Sequence, residues 1–236
     1  MVILDQQKYM GWKDHILIFH LDALNKDLQA LLREMGPLMS ERGLYLGGGT
    51  ALAIYLGHRV SVDLDWFTEK SLHDPLNFAQ GLKDNGIPLV VTQVDRGTLH
   101  GTLHGINVSF LEYRYPLLVP PNSWPEFHCL LASPDDIACM KLSAIAQRGS
   151  KKDFIDLYAI VKTYHTLGEA LELYKKRYSI EDIGHVLYGL AYFDDAQRER
   201  TPKMLWDVEW DTVRESIQGW VKEYVKHTSS PSLRAE

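Results

Sequence analysis

The chain has 236 residues, enough to bury a full core as one domain or as a catalytic domain with a helical extension. Its 45% hydrophobic and 24% charged residues are ordinary for a globular protein, and a net charge of −6 at pH 7 excludes nucleic-acid binding by bulk charge, leaving only a local basic patch for that purpose. Two cysteines, Cys129 and Cys139, supply neither a disulfide framework nor a metal-ligand spacing, no apolar run approaches membrane-spanning length and no signal-peptide core opens the chain, so the expected location is the cytoplasm.

Residues 1–20 are mixed, and 15–20 fit a helical turn or a strand. From about Leu21 to Arg42, Leu24, Leu28, Leu31 and Leu32 recur at helical spacing, with Gly36-Pro37 expected to kink or divide the helix.

The stretch 44–67 reads as strand, glycine turn, short helix, strand. Leu44 to Leu46 lead into Gly47-Gly48-Gly49, which lets a ligand approach the backbone; Thr50 opens a helix over Ala51 to Leu56, and Gly57 is placed to end it. Amides at such a helix start seat phosphate. In the following strand Ser61, Asp63 and Asp65 share one face, and Val62, Leu64 and Trp66 the other. Two neighbouring carboxylates repel unless a cation lies between them, and Mg²⁺ is commonly held by one or two carboxylates together with substrate phosphates. A phosphate seat beside a carboxylate pair is the equipment of metal-assisted phosphoryl or nucleotidyl transfer.

Asp74-Pro75 starts a further helix, with Leu76, Phe78, Ala79 and Leu82 inward and Asn85-Gly86 as its stop. Three strands follow, Leu89 to Val94, Thr98 to Leu103 and Ile106 to Leu111, joined by turns at Arg96-Gly97 and His104-Gly105. Thr98, His100 and Thr102 make a polar face, read as solvated. Residues 113–132, with four prolines, read as an irregular connection. Ser133-Pro134-Asp135-Asp136 marks a helix start, running to about Gln147. Lys141 falls in its apolar stripe, either snorkelling out or pointing a cation into a catalytic cleft, where it would meet triphosphate and no protein carboxylate. Asp153 and Asp156 are neighbours on one face of the next helix. Helices over Leu167 to Arg177, Ser179 to Phe193 (capped by Ser179 and Asp182) and Trp210 to Lys226 complete the chain, before a frayed tail. Lys175-Lys176-Arg177 and Arg198-x-Arg200-x-x-Lys203 are solvated helix ends or places for RNA phosphate.

Gly48-Gly49, thirteen residues, then Asp63-Leu64-Asp65 resembles the signature of the nucleotidyltransferase (polymerase-beta-like) superfamily. Gly-Gly-Thr-Ala-Leu-Ala and His-Arg-x-Ser-x-Asp-Leu-Asp-x-Phe narrow the resemblance to the AbiEii/AbiGii-type toxins of toxin–antitoxin and phage-defence pairs. It returns at 133–158, in Lys141-Leu142, Arg148-Gly149 and Lys152-Asp153-Phe154-Ile155-Asp156-Leu157-Tyr158, where such proteins complete the active site with a lysine and a downstream aspartate. The resemblance implies an α+β fold: a nucleotidyltransferase-like mixed β-sheet with flanking helices over 1–127, followed by a helical C-terminal part over 128–236. It implies transfer of a nucleoside monophosphate from an NTP to an acceptor, a tRNA 3′ end or a protein, and a cognate antitoxin; no membrane is involved. Gly48, Gly49 and Thr50 would hold phosphates, Arg59 and Ser61 would contact phosphate oxygens, and Asp63 and Asp65 would hold Mg²⁺ or Mn²⁺. Lys141, with Asp153 or Asp156 (the latter preferred), would complete the site.

A third carboxylate is common on the strand matched by Val108-Ser109-Phe110, and here the position is serine; Glu112 has the wrong parity unless a bulge intervenes. That departure keeps two alternatives open, a kinase-like phosphotransferase on the same site and a non-catalytic nucleotide-binding partner protein.

Overall fold

The computed structural model describes residues 18–229. The reading of 15–17 and the expectation of a frayed tail beyond 229 lie outside the described residues. Residues 18–137 with 203–206 form one compact unit, and 138–202 with 207–229 form a second.

In the first unit, a 3₁₀ turn (Leu21–Ala23) precedes α1 (Lys26–Glu41), whose start is capped by Asn25 Oδ1 accepting from the Leu28 amide at 2.8 Å. The helix runs through Gly36-Pro37 without dividing, because its buried face (Leu28, Leu31, Leu32, Met35, Met39) is held along the whole length. Gly36 is required there for a different reason. A Cβ on it would lie 2.0 Å from the Phe127 carbonyl oxygen, so a 3₁₀ turn at Pro125–Phe127 packs directly on the helix backbone.

A seven-stranded mixed sheet organises the unit. Its strands are β1 (Tyr45–Leu46), β2 (Leu64–Thr68), β3 (Val90–Asp95), β4 (Thr98–Leu103), β5 (Ile106–Glu112), β6 (Asn122–Trp124) and β7 (Cys129–Leu131), in the order β3-β4-β5-β2-β1-β7-β6. The β3-β4-β5 meander is antiparallel, and its turns fall where the sequence places them; Gly97, His104 and Gly105 have φ of +71°, +51° and +81°. β5 then lies parallel to β2, β2 antiparallel to β1, and β1 parallel to β7. β6 and β7 lie in the proline-rich stretch read as irregular. Each has only three residues, too few to display an alternation; they are held by Trp124 against Phe127 (ring centroids 4.2 Å apart), by their pairing with each other and by β7 pairing with β1.

Two helices flank this sheet as expected. α2 (Gly48–Leu56) begins two residues ahead of Thr50 and ends at Gly57, a left-handed cap with φ +58°. α3 (Pro75–Asp84) is capped by Asp74 and stops at Asn85. Leu76, expected inward, is 59% exposed; Ala79 and Leu82 carry the buried face instead.

α4 (Pro134–Gln147) starts at the cap the sequence marks: Ser133 Oγ accepts from the Asp136 amide at 3.0 Å and donates to Asp136 Oδ2 at 2.6 Å. The second unit takes up the chain within this helix and continues with α5 (Lys151–Thr163), α6 (Leu167–Tyr178), α7 (Gly184–Ala191), α8 (Asp194–Arg198) and α9 (Trp210–Ser229). Ser179 does not open a helix. It ends α6 in a left-handed conformation, φ +53°, and Asp182 Oδ1 accepts from the Gly184 amide at the start of α7. Phe154, Phe193 and Trp210 form an aromatic core in which the first two rings lie 4.7 Å apart. No described helix is long and apolar enough to cross a membrane.

Candidate functional site

The turn between β1 and α2 is fixed by hydrogen bonds to β2 and to the residues just before it. The Gly47 amide donates to the Asp65 carbonyl at 3.0 Å, and Gly48 takes φ +61°, a region that disfavours any side chain. A Cβ at Gly48 would lie 3.5 Å from Asp65 Oδ2, so the turn and the carboxylate are in contact distance of one another. Thr50 Oγ1 lies 2.6 Å from Ser61 Oγ, donates to the Asp63 carbonyl at 2.7 Å and reaches Asp63 Oδ1 at 3.3 Å. Thr50 and Ser61 are buried, and this bonding makes them a brace between the helix start and the residues leading into β2. Arg59 is likewise buried, with Nη1 donating to the Val60 carbonyl.

Ser61, Asp63 and Asp65 therefore all meet the α2 start, held there by these hydrogen bonds. Val62 does not join the core; it is 63% exposed, because the regular strand begins only at Leu64. Asp63 and Asp65 are both half-buried. The backbone amides of the first α2 turn have no acceptor inside their own helix, which leaves an electropositive helix end beside two carboxylates.

β5 carries Ser109 to the side of Asp65, the two being register partners in the parallel pair. Glu112 cannot take that place. It pairs with Thr68 in unbroken register, and its carboxylate accepts from the Arg114 guanidinium, the Leu72 amide (2.9 Å) and Ser71 Oγ (3.1 Å). Those bonds, that from Arg114 foremost, hold Glu112 below the usual carboxylate range. The face of β4 read as solvated is not plainly so: His100 is half-buried and its Nδ1 lies 3.0 Å from Ser109 Oγ.

In the second unit Lys141 neither snorkels nor stands apart from protein carboxylates. It is 3% exposed, and its Nζ lies 2.9 Å from Asp153 Oδ1 and 2.6 Å from Asp156 Oδ2. The reason is the helix pair. Ser150 leads into α5, whose first turns bring both aspartates to the side occupied by Lys141 of α4. Asp153 is further bound by Arg148, through Nε at 2.9 Å and Nη2 at 3.3 Å, and by Ser150 Oγ at 2.7 Å. Burial pushes the Asp153 carboxyl up, but the Lys141 and Arg148 cations together outweigh it and hold the group down at about 2. Sequence reasoning assigned no role to Arg148, although it stands five residues before Asp153 in the same motif block. His100, which sequence reasoning placed on a solvated face, is set opposite Ser109 by the turn at His104-Gly105.

Of the two basic clusters, the first is not a solvated patch. Arg177 is 2% exposed and Lys175 is bonded to Glu172 at 2.8 Å.

The family model described as "Nucleotidyl transferase AbiEii toxin, Type IV TA system" matches residues 30–118 and 105–220, most of both units. The chain belongs to the AbiEii family. A curated relative, the uncharacterized protein aq_aa25 of Aquifex aeolicus (strain VF5), is 39% identical over 209 residues, covering 86% of this chain and 98% of its own. Among solved structures, an H. pylori protein described as a candidate nucleotidyltransferase superposes with a TM-score of 0.51 at 16% identity, over 95% of this chain and 97% of that one. The AbiEii protein thus has a nucleotidyltransferase fold, with Asp65 on β2 of its mixed sheet, Asp63 just ahead of that strand and the α2 start beside them.

Proposed function

We propose that this AbiEii protein transfers a nucleoside monophosphate from an NTP to an acceptor hydroxyl and releases pyrophosphate, acting as a cytoplasmic toxin restrained by a cognate antitoxin. The observation that carries this reading is the meeting of Gly48, in its left-handed turn at the head of α2, with Asp65 of β2. A triphosphate seated on the Gly48, Gly49 and Thr50 amides would lie against the Asp63 and Asp65 carboxylates. Two half-exposed carboxylates beside a phosphate seat suit Mg²⁺ or Mn²⁺, hard cations that take oxygen ligands and keep substrate phosphates in their shell. Such an ion would neutralise charge at the α-phosphate and in the leaving pyrophosphate.

The chain's own residues supply the rest. The Thr50–Ser61 brace holds the α2 start at a fixed distance from Asp63, so the seat and the carboxylates need no rearrangement on binding. Arg59 adds a buried cation close by in sequence. Lys141, Asp153 and Asp156 keep the part in transfer that membership suggests; supporting it is the meeting of the three side chains in one buried cluster, an arrangement found at functional sites as well as in structural ion-pair networks. The acceptor is a tRNA 3′ end, and a protein hydroxyl is the other acceptor class.

Incubation with NTP labelled at the α- or the γ-phosphate, with total tRNA, tests this. Label from the α-position in tRNA is expected. Label from the γ-position alone would instead support a kinase-like reaction, the second reading, favoured by the presence of Ser109 rather than a carboxylate beside Asp65. Tight Mg²⁺-dependent NTP binding with no transfer to tRNA or protein would leave a nucleotide-binding partner protein.

A further inference from the structure

Three neighbouring strands carry one polar row. Asp65 on β2 pairs with Ser109 on β5, and Ser109 pairs with His100 on β4. Register partners project from the same sheet face and neighbouring strands stand about 4.8 Å apart, so Ser109 stands between Asp65 and His100 in the row. The flanking residues Leu64, Trp66, Val108, Phe110 and Leu99 are all in the core, which fixes the row on the opposite face. Ser109 and His100 are only half-buried, so the row is open to a ligand. The Ser109 Oγ to His100 Nδ1 distance is 3.0 Å, hydrogen-bond length for a hydroxyl and a ring nitrogen.

An acceptor hydroxyl seated beside Asp65 would need a proton acceptor there, and serine alone cannot serve at neutral pH. An imidazole bonded to the serine can, by the logic that activates hydroxyls elsewhere. We propose that His100, acting through Ser109, accepts the proton of the acceptor hydroxyl. This rests on the nucleotidyl-transfer reading above. As the acceptor oxygen bonds to the α-phosphorus, its proton passes to Ser109 Oγ and the serine's own proton passes to His100 Nδ1. The bond from the α-phosphorus to the bridging oxygen breaks, and pyrophosphate leaves with that electron pair. His100, left as imidazolium, returns its proton to solvent. Ser109 touches the acceptor, and His100 is the positioning and proton-holding residue behind it.

The test uses the full chain and α-labelled NTP. His100→Asn keeps a hydrogen-bonding atom near the Nδ1 position but cannot hold the proton. Its kcat should fall about a hundredfold, with the KM for NTP and the thermal midpoint unchanged. His100→Ala should regain turnover with added imidazole, which a purely structural histidine would not do. Ser109→Asp supplies a carboxylate beside Asp65, so Ser109→Asp/His100→Asn should turn over within about tenfold of wild type. A His100→Asn protein with kcat within threefold of wild type overturns the proposal. So does a double variant as slow as His100→Asn together with no response of His100→Ala to imidazole. Absence of α-label transfer by the wild type would instead remove the reaction itself, and this proposal with it.

Discussion

Lys141 Nζ lies 2.6 Å from Asp156 Oδ2, and both side chains are shut off from solvent. Asp153 shares the same ammonium at 2.9 Å and takes Arg148 as a second cation. Asp153 and Asp156 thus face Lys141 and Arg148; of these four groups Arg148 is the one that reaches solvent, and the desolvation of the buried three is offset only while their partners are present.

Lys141→Met should therefore be strongly destabilising. The thioether fills most of the stem volume, but two buried carboxylates lose their common cation, a change that costs about 3–5 kcal/mol. Urea unfolding should show a lower midpoint with an unchanged slope. A midpoint equal to the wild type would contradict the buried pair.

Acid should loosen the same cluster. The folded Asp153 carboxyl sits at about 2 against an ordinary value of 3.8. Its contribution is fully present above pH 4 and disappears as pH falls toward 2, about 2 kcal/mol in all. Asp153→Asn should flatten that part of the stability–pH curve, measured by denaturant titration at several pH values. An unchanged curve would mean that Asp153 titrates normally in the folded protein.

Asp65→Asn and Asp63→Asn should leave the fold intact, since both positions are half-exposed and amides are close to isosteric with carboxylates. Transfer from the NTP should nevertheless fall by at least about a hundredfold, on the order of 2.7 kcal/mol at the transition state. Circular dichroism together with α-label transfer separates the two effects. Full activity in Asp65→Asn would remove the carboxylate pair from the site.

Gly48→Ala probes the turn without filling space. Its Cβ would meet Asp65 Oδ2 at an ordinary 3.5 Å, so the cost arises from φ +61° and is about 1–2 kcal/mol. NTP should bind at least about tenfold more weakly if the same backbone cradles phosphate. Isothermal titration with a non-hydrolysable NTP reads this directly, and unchanged affinity would make the turn purely structural.

Much of this protein is determined within short stretches of its sequence. The helix caps at Asp74 and Ser133, the stop at Gly57 and the turns at Arg96-Gly97 and His104-Gly105 are local choices of backbone and capping group, and all stand in the structure. Even the His100–Ser109 pair follows from a two-residue turn, which leaves only one register for its hairpin. What the tertiary structure decided is non-local. Ser109 meets Asp65 because β2 and β5 lie parallel, a pairing between segments some forty residues apart that no turn specifies. Pro37 stays inside α1 because buried contacts along the helix outweigh one lost backbone bond, and β7 forms because β1 supplies its partner edge, with β6 pairing on β7 in turn. Lys141 is the sharpest case. Its place in an apolar stripe fits a snorkelling side chain or a cleft cation equally well, and only the packing of α5 against α4 turns it into the buried partner of two aspartates.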